Sequence, residues 1–375
     1  MKIGILTFHC AHNYGAVLQA YALQSYLCGL GHDARIVDYR PAYLTRQYDS
    51  FNLYRWFSRN PIRGLRKFAT DIRVYGARRM RHLNFEKFIN RRLRLQCYHQ
   101  PSDLRAFDLA LLGSDQIWNS GITGGRNDDL YWGVSVPVPV ASYAASARRI
   151  GTGEAEREYI RRALDHLLAV SVRERSLKEI LSTLTTHPVV QVLDPTLLAD
   201  ADAYDSLCAG FTVPEFPYVL IYQVAYDKSL GSIATELAKR INGEVIEISA
   251  YLETPRIRGS KRIDTASPEE FIGYIRNASC VVTSSFHGTA LSIVFRRPFV
   301  TVRLGYEIDN RAKSLLSALH LEKCSIDKNG TPRIPEIDYE EVGKRLADLR
   351  MDSRQFLDDV IHKASSLLDN KTEEE

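Results

Sequence analysis

CVVTSSFHGTALSIVFRRPFVTVRL, residues 280–304, is the stretch whose pattern decides the fold. Cys280–Ser285 opens as an apolar, β-branched run and reads as a buried strand. Thr289–Phe295 reads as a helix and Phe299–Leu304 as a second strand. A strand, a helix and a strand in such short order form a right-handed crossover, and strands joined in that way lie parallel. The same grammar extends outward. Lys2–Phe8, Ala34–Tyr39, Phe107–Gly113, Leu167–Arg173, Val189–Asp194, Tyr218–Val224 and Glu244–Ile248 read as strands. Between the first two, Ala16, Ala20, Leu23, Leu27 and Leu30 recur at helical spacing, and Gly31 stands where such a helix ends. Further helices are expected over Glu154–His166, Ser232–Asn242 and Tyr339–Leu368. The fold class is therefore α/β, with parallel sheets.

The 375 residues suit two domains better than one. The proline-bearing stretch AGFTVPEFP, residues 209–217, is the expected linker. That places one domain over 1–208, a second over 209–338, and a helix with a frayed tail over 339–375. Hydrophobic residues at 45% and charged residues at 25% give a globular chain with a real core. The opening MKIGILTF runs into a strand pattern without a signal-peptide apolar region, and no long uncharged apolar stretch follows, so a cytoplasmic location is expected. The six cysteines form no C-x-x-C pair and read as reduced thiols. His9, Cys10 and His12 lack metal-ligand spacing, so no metal is expected. G-x-G-x-x-G after the first strand and G-x-x-x-x-G-K-[ST] are both missing, which argues against classical dinucleotide and P-loop chemistry.

Charge is unevenly spread. Between Phe51 and Leu95 stand thirteen Lys and Arg against Asp71 and Glu86 alone, a local +11 in a chain of net +4. Interleaved with Trp56, Phe57 and Phe68, these cations suit an anionic membrane surface, peripheral to its inner face, as well as they suit a solvated basic helix pair. No nucleic-acid module is recognisable, and nucleic acid is not expected.

Open parallel sheets bind ligands outside the carboxyl ends of their strands. Polar residues gather at that edge in six places. Ser284-Ser-Phe-His-Gly-Thr289 is the sharpest, since a strand delivers two hydroxyls and His287 to a helix N-terminus suited to an anion. The alternative there is a serine cap with a buried histidine. Asn13, Tyr14 and Gly15 read equally as a helix cap and as a ligand loop. Asp115 reads as a base or sugar ligand, or as a turn residue; Gln116 and Asn119 flank it. Trp118 suits sugar stacking but more often packs. Arg173 ends a buried strand, where a charge needs an anion or a carboxylate. Glu174 would point to the opposite face if the strand continued, and Asp194 before a proline reads as a turn or cap.

These loops resemble the polysaccharide pyruvyl transferase family. The resemblance rests on NYGAVLQAYALQ (13–24), DYRP (38–41), GSDQIWN (113–119), SYAAS (142–146), SVRE (171–174), DPTLL (194–198) and SSFHGTA (284–290), in family order. It implies two Rossmann-like domains with parallel sheets facing a cleft, as in GT-B glycosyltransferases. It also implies phosphoenolpyruvate as donor, a sugar of a surface polysaccharide or its lipid-linked precursor as acceptor, and a pyruvate ketal and phosphate as products, with no cofactor. Some members read Arg-Leu-His where this chain has Ser285-Phe286-His287. His287 is the expected general acid, and Asp115 the candidate for orienting or deprotonating the acceptor. Arg173, Ser284, Ser285, Gly288, Thr289 and either Arg303 or Arg311 would hold the donor. Asn13, Tyr14, Gly15, Gln116, Trp118 and Asn119 would face the acceptor. The rival expectations are a nucleotide-sugar glycosyltransferase of the same fold and a non-catalytic glycan-binding member of the family.

Overall fold

The computed structural model describes residues 1–48, 61–148, 150–151, 153–306 and 309–374. Residues 51–60 of the basic segment lie outside that range. The strands are β1 (Lys2–Leu6), β2 (Asp33–Asp38), β3 (Leu95–Cys97), β4 (Leu109–Leu112), β5 (Val140–Ser142), β6 (Val170–Val172), β7 (Val189–Gln191), β8 (Tyr218–Gln223), β9 (Glu244–Ser249), β10 (Lys261–Arg262), β11 (Cys280–Thr283), β12 (Phe299–Arg303) and β13 (Ser325–Asp327). β1, β4 and β8 are apolar runs buried almost throughout, as strands covered on both faces by helices must be.

The first sheet runs β3-β2-β1-β4-β5, all parallel. Bridges from Asp115 to Ala145 and from Ala145 to Val172 carry it on to the β6–β7 pair. The second sheet runs β10-β9-β8-β11-β12-β13, also parallel. Each order reverses once, between β1 and β4 and between β8 and β11. The loops after those four strands therefore open the two crevices in which α/β sheets bind ligands.

Asn13 caps the helix Tyr14–Gly29 by accepting from the amides of Gly15 and Ala16. At the other end Gly31 takes φ 87°, and the amides of Gly31 and His32 reach back to the carbonyls of Cys28 and Leu27. That closure is a Schellman motif, which a glycine at C′ makes possible.

The domains share one apolar cluster that runs from Ile3 through Phe271 and Leu291 to Ala364. Three elements stitch them. Tyr14 stacks on Phe271 at 4.4 Å, and its hydroxyl donates to the Ala266 carbonyl. Residues 61–92 of the basic segment form one continuous helix, Pro61–Arg92. It buries Phe85, Phe88 and Ile89 in the first domain and reaches the second through Arg78 to Glu253, Arg81 to the carbonyls of Asp264 and Ala250, and Asn84 to that of Thr265. The last helix runs on to Glu374, past the fraying expected from Asn370. It leaves the second domain beside Arg297 and crosses to the first, where Arg350 donates to the carbonyls of Leu197 and Ala199. Within the expected linker, Phe211 packs edge-on against Tyr274 and covers Gly273. Among the described residues no helix is long and apolar enough to cross a membrane.

Candidate functional site

The loop after β11 turns into a helix over Phe286–Val294. Its first turn is already satisfied. The Ser285 hydroxyl accepts from the Gly288 amide, and its carbonyl accepts from the Thr289 amide and hydroxyl. Thr289 also bonds Thr301. The amides of Gly288 and Thr289, expected to cradle an anion, are thus spent on the cap. The Ser284 hydroxyl is buried without a hydrogen-bond partner.

His287 is only 5% exposed and lies on the seam between the domains. Its ring sits against Gly15, where any Cβ would overlap it. Gly15 is therefore the surface that receives the histidine. Across the ring, Nε2 stands 3.5 Å from Asp194 Oδ2, an ion-pair distance longer than an ordinary hydrogen bond.

Asp194 begins the turn after β7. Its Oδ1 accepts from the amide and hydroxyl of Thr196. Its Oδ2 accepts from Arg173 at 2.6 Å and from the Ser114 hydroxyl at 3.2 Å. Burial pushes this carboxyl up, but the nearby charge of His287, then that of Arg173 and the hydrogen bond from Thr196, outweigh it. They hold Asp194 well below the usual carboxylate range.

Arg173 is buried with its charge matched. Besides Asp194 it donates to the Ser146 hydroxyl at 2.9 Å and lies 3.8 Å from Glu174 and 3.7 Å from Asp115. The guanidinium also covers the Phe286 ring at 4.6 Å. β6 stops at Val172, so alternation no longer applies, and Glu174 turns to the same side as Arg173 and bonds Ser146. Burial is the main cause that raises the Glu174 carboxyl, against the pull of Arg173 and Arg311.

A pocket of about 130 Å³ opens beside this cluster, lined by Arg173, Asp194, Phe286, Gln191, Ser314 and Arg311. Arg311, on the helix Asp309–Ala318, is partly buried there. Among the described residues it has neither a hydrogen bond nor an ion pair within 4 Å. Burial first, then the charge of Arg173, pull its pKa down, against Glu174, Asp115 and Asp194. Arg303 lies elsewhere: it pairs with Asp327 across the β12–β13 edge and is partly exposed. Of the two downstream arginines, only Arg311 joins the cluster. His287 does not line the pocket; it stands behind Asp194 and Phe286.

The residues expected to face an acceptor are mostly occupied. Asn13 is the helix cap, and Tyr14 is the pin described above. Trp118 is 2% exposed, stacks on Trp132 at 4.6 Å and donates to the Tyr131 carbonyl, so no sugar face reaches it. Gln116 and Asn119 bond each other. Asp115, with a left-handed backbone at φ 74°, remains at the seam beside Arg173. Asp194, Glu174 and Ser146 were not singled out as site residues by patterning. Tyr222 and Gln223 at the end of β8 were also missed, though each leaves a buried polar atom without a hydrogen bond.

Two parallel sheets whose switch points meet at a buried His–Asp–Arg cluster define a two-domain α/β protein of GT-B-like architecture. A sequence model of the polysaccharide pyruvyl transferase family matches residues 13–306, and the chain belongs to that family, a family of transferases. No curated protein matches the chain by sequence. Among solved structures, it is similar to UDP-GlcNAc 2-epimerase from Neisseria meningitidis bound to UDP-GlcNAc, at 11% identity and a TM-score of 0.45 over 100% of both chains. It is also similar to S. aureus MnaA with UDP, at 10% identity and a TM-score of 0.45 over 94% of this chain and 88% of that one. A third is the Streptomyces sp. SF2575 glycosyltransferase SsfS6 with thymidine diphosphate, at 14% identity and a TM-score of 0.40 over 95% and 96%.

Proposed function

We propose that the protein transfers the pyruvyl group of phosphoenolpyruvate to a sugar of a surface polysaccharide or its lipid-linked precursor, forming a ketal and releasing phosphate. The observation that carries this reading is Arg311, a guanidinium without a hydrogen-bond or ion-pair partner among the described residues, in a small pocket beside Arg173, which is itself paired with carboxylates. A guanidinium that lines a pocket and makes no hydrogen bond there among the described residues is suited to meet a small anion. At about 130 Å³ the pocket suits a three-carbon phosphate.

In this reading Arg311 binds the phosphate or carboxylate of the donor, and Arg173, fixed by Asp194 and Ser146, shapes the wall. His287 delivers a proton to the vinyl carbon once the domains part at the Gly15 contact, which makes C2 electrophilic. One acceptor hydroxyl bonds to C2. A second then displaces phosphate as the C2–O bond to phosphorus breaks. Of the two hydroxyl protons, one replaces that given by His287 and the other leaves with phosphate. Asp115, at the seam, orients the acceptor.

The test is phosphate release from phosphoenolpyruvate with hexose acceptors bearing free O4 and O6 hydroxyls. His287→Ala is expected to fold normally and lose about 10²–10⁴-fold in turnover. Residual activity above about a tenth of the parent would remove His287 from the acid role. Sugar transfer from a nucleotide sugar without phosphate release would replace the reading with a glycosyltransferase.

A further inference from the structure

From Thr70 on, the helix Pro61–Arg92 has one face that the fold buries and one that stays exposed. Inward go Asp71, Val74, Arg78, Arg81, Phe85, Phe88 and Ile89, all buried. The two acids of the basic segment are both neutralised. Asp71 pairs with Arg78, and Glu86 pairs with Arg40 and His12. Arg78 and Arg81 are tied to the second domain, so they are structural and contribute nothing to a surface charge.

Outward, positions 72, 76, 79, 83, 87 and 90 follow helical spacing along one side, all of them exposed. Ile72 is 59% exposed, Met80 50%, Leu83 51% and Tyr75 40%. Four of the thirteen large apolar side chains exposed in the described residues thus fall within twelve residues of one helix, too dense for scattered surface hydrophobics. Between and beyond them stand Arg73, Arg79, Lys87 and Arg91, exposed and without an ion pair among the described residues. The exposed face is cationic and apolar, and Glu269 and Glu270 of the second domain line the groove beside Lys87 and Arg91.

We infer that this face docks on an anionic membrane surface. The apolar side chains would enter the headgroup boundary while the cations meet lipid phosphates, the composition of an interfacial helix. The helix also bridges both domains. Its opposite face carries Arg78 and Arg81 into the crevice with His12, Tyr48 and Tyr251. Docking would therefore hold the opening between the domains against the bilayer. The inference does not depend on the donor assignment.

The test is co-sedimentation of the full chain with phosphatidylglycerol vesicles and with phosphatidylcholine vesicles, at low and high salt. Binding is expected to the anionic vesicles at low salt and to weaken as salt screens it over a Debye length of about 10 Å at 0.1 M. Arg73→Gln, Arg79→Gln, Lys87→Gln and Arg91→Gln combined should lower that binding at least about tenfold with an unchanged thermal melt. Leu83→Ser with Met80→Ser should remove the part that survives high salt. Indifference of the parent to anionic vesicles at low salt, or equal binding by the fourfold variant, would overturn the inference. So would retention on RNA without vesicle binding.

Discussion

Gly15 shows how one residue position joins the two domains. The His287 imidazole lies where a Cβ would be, and its other side faces Asp194. Gly15→Ala is therefore expected to push the ring off its seat and cost about 1–3 kcal/mol, the range for overpacking a filled contact. Urea unfolding measures the stability cost, and loss of turnover beyond that change measures the displacement of the ring. A variant as stable and active as the parent would show that the ring has room to spare. Histidine at 287 and glycine at 15 were each visible in the sequence, but their contact joins residues far apart in the chain. Patterning supplied the loops and left their pairing open. Arg303 and Arg311 make the same point, since only the fold reveals that one is spent on Asp327 and the other faces a pocket.

Elements were more legible than contacts, for a physical reason. Strands buried on both faces must be apolar throughout, so β1, β4, β8, β11 and β12 announce themselves. β10, which is only Lys261 and Arg262, carries no such signal, and β3 and β13 are short and partly exposed. The basic helix was legible as charge, whereas its two faces were not, because the side that contacts the second domain also carries arginines. Its attachment to the first domain includes Glu86 beside the buried Phe85, Phe88 and Ile89. The bond from His12, then the Arg40 charge and bonds, outweigh burial and bring this carboxyl down to about 2. A folded pKa below the unfolded value of about 4.3 gives stability that is present above that pH and lost as pH falls through the folded value. The stability gap between the parent and Glu86→Gln is expected to be constant from pH 6 to 8 and to shrink between about pH 4.3 and 2. Denaturant melts across that range measure it, and a gap that persists at the acid end would mean that Glu86 acts by packing alone.

At the scale of the whole molecule, the last helix ties the site together. It returns from the second domain to clasp residues 193–200 of the first. Ser353 accepts from the Leu193 amide, Arg350 bonds the carbonyls of Leu197 and Ala199 and the Asp200 carboxylate, and Arg354 bonds the Leu198 carbonyl. That clasp holds the turn bearing Asp194, and hence the partner of both Arg173 and His287. Arg350→Ala leaves buried carbonyls unpaired and is expected to cost about 1–3 kcal/mol in urea unfolding, with a rise in the Michaelis constant for the donor. An unchanged unfolding midpoint would show that the clasp is redundant. The account as a whole turns on what the Arg311 pocket holds. Calorimetric titration of phosphoenolpyruvate, with UDP-GlcNAc as comparison, tests it most directly. The parent is expected to bind phosphoenolpyruvate saturably and to give no heat with UDP-GlcNAc. Arg311→Ala should bind the donor about ten- to a hundredfold more weakly, as loss of a charge-assisted contact requires. Equal donor affinity in Arg311→Ala, or binding of UDP-GlcNAc without phosphoenolpyruvate, would contradict it.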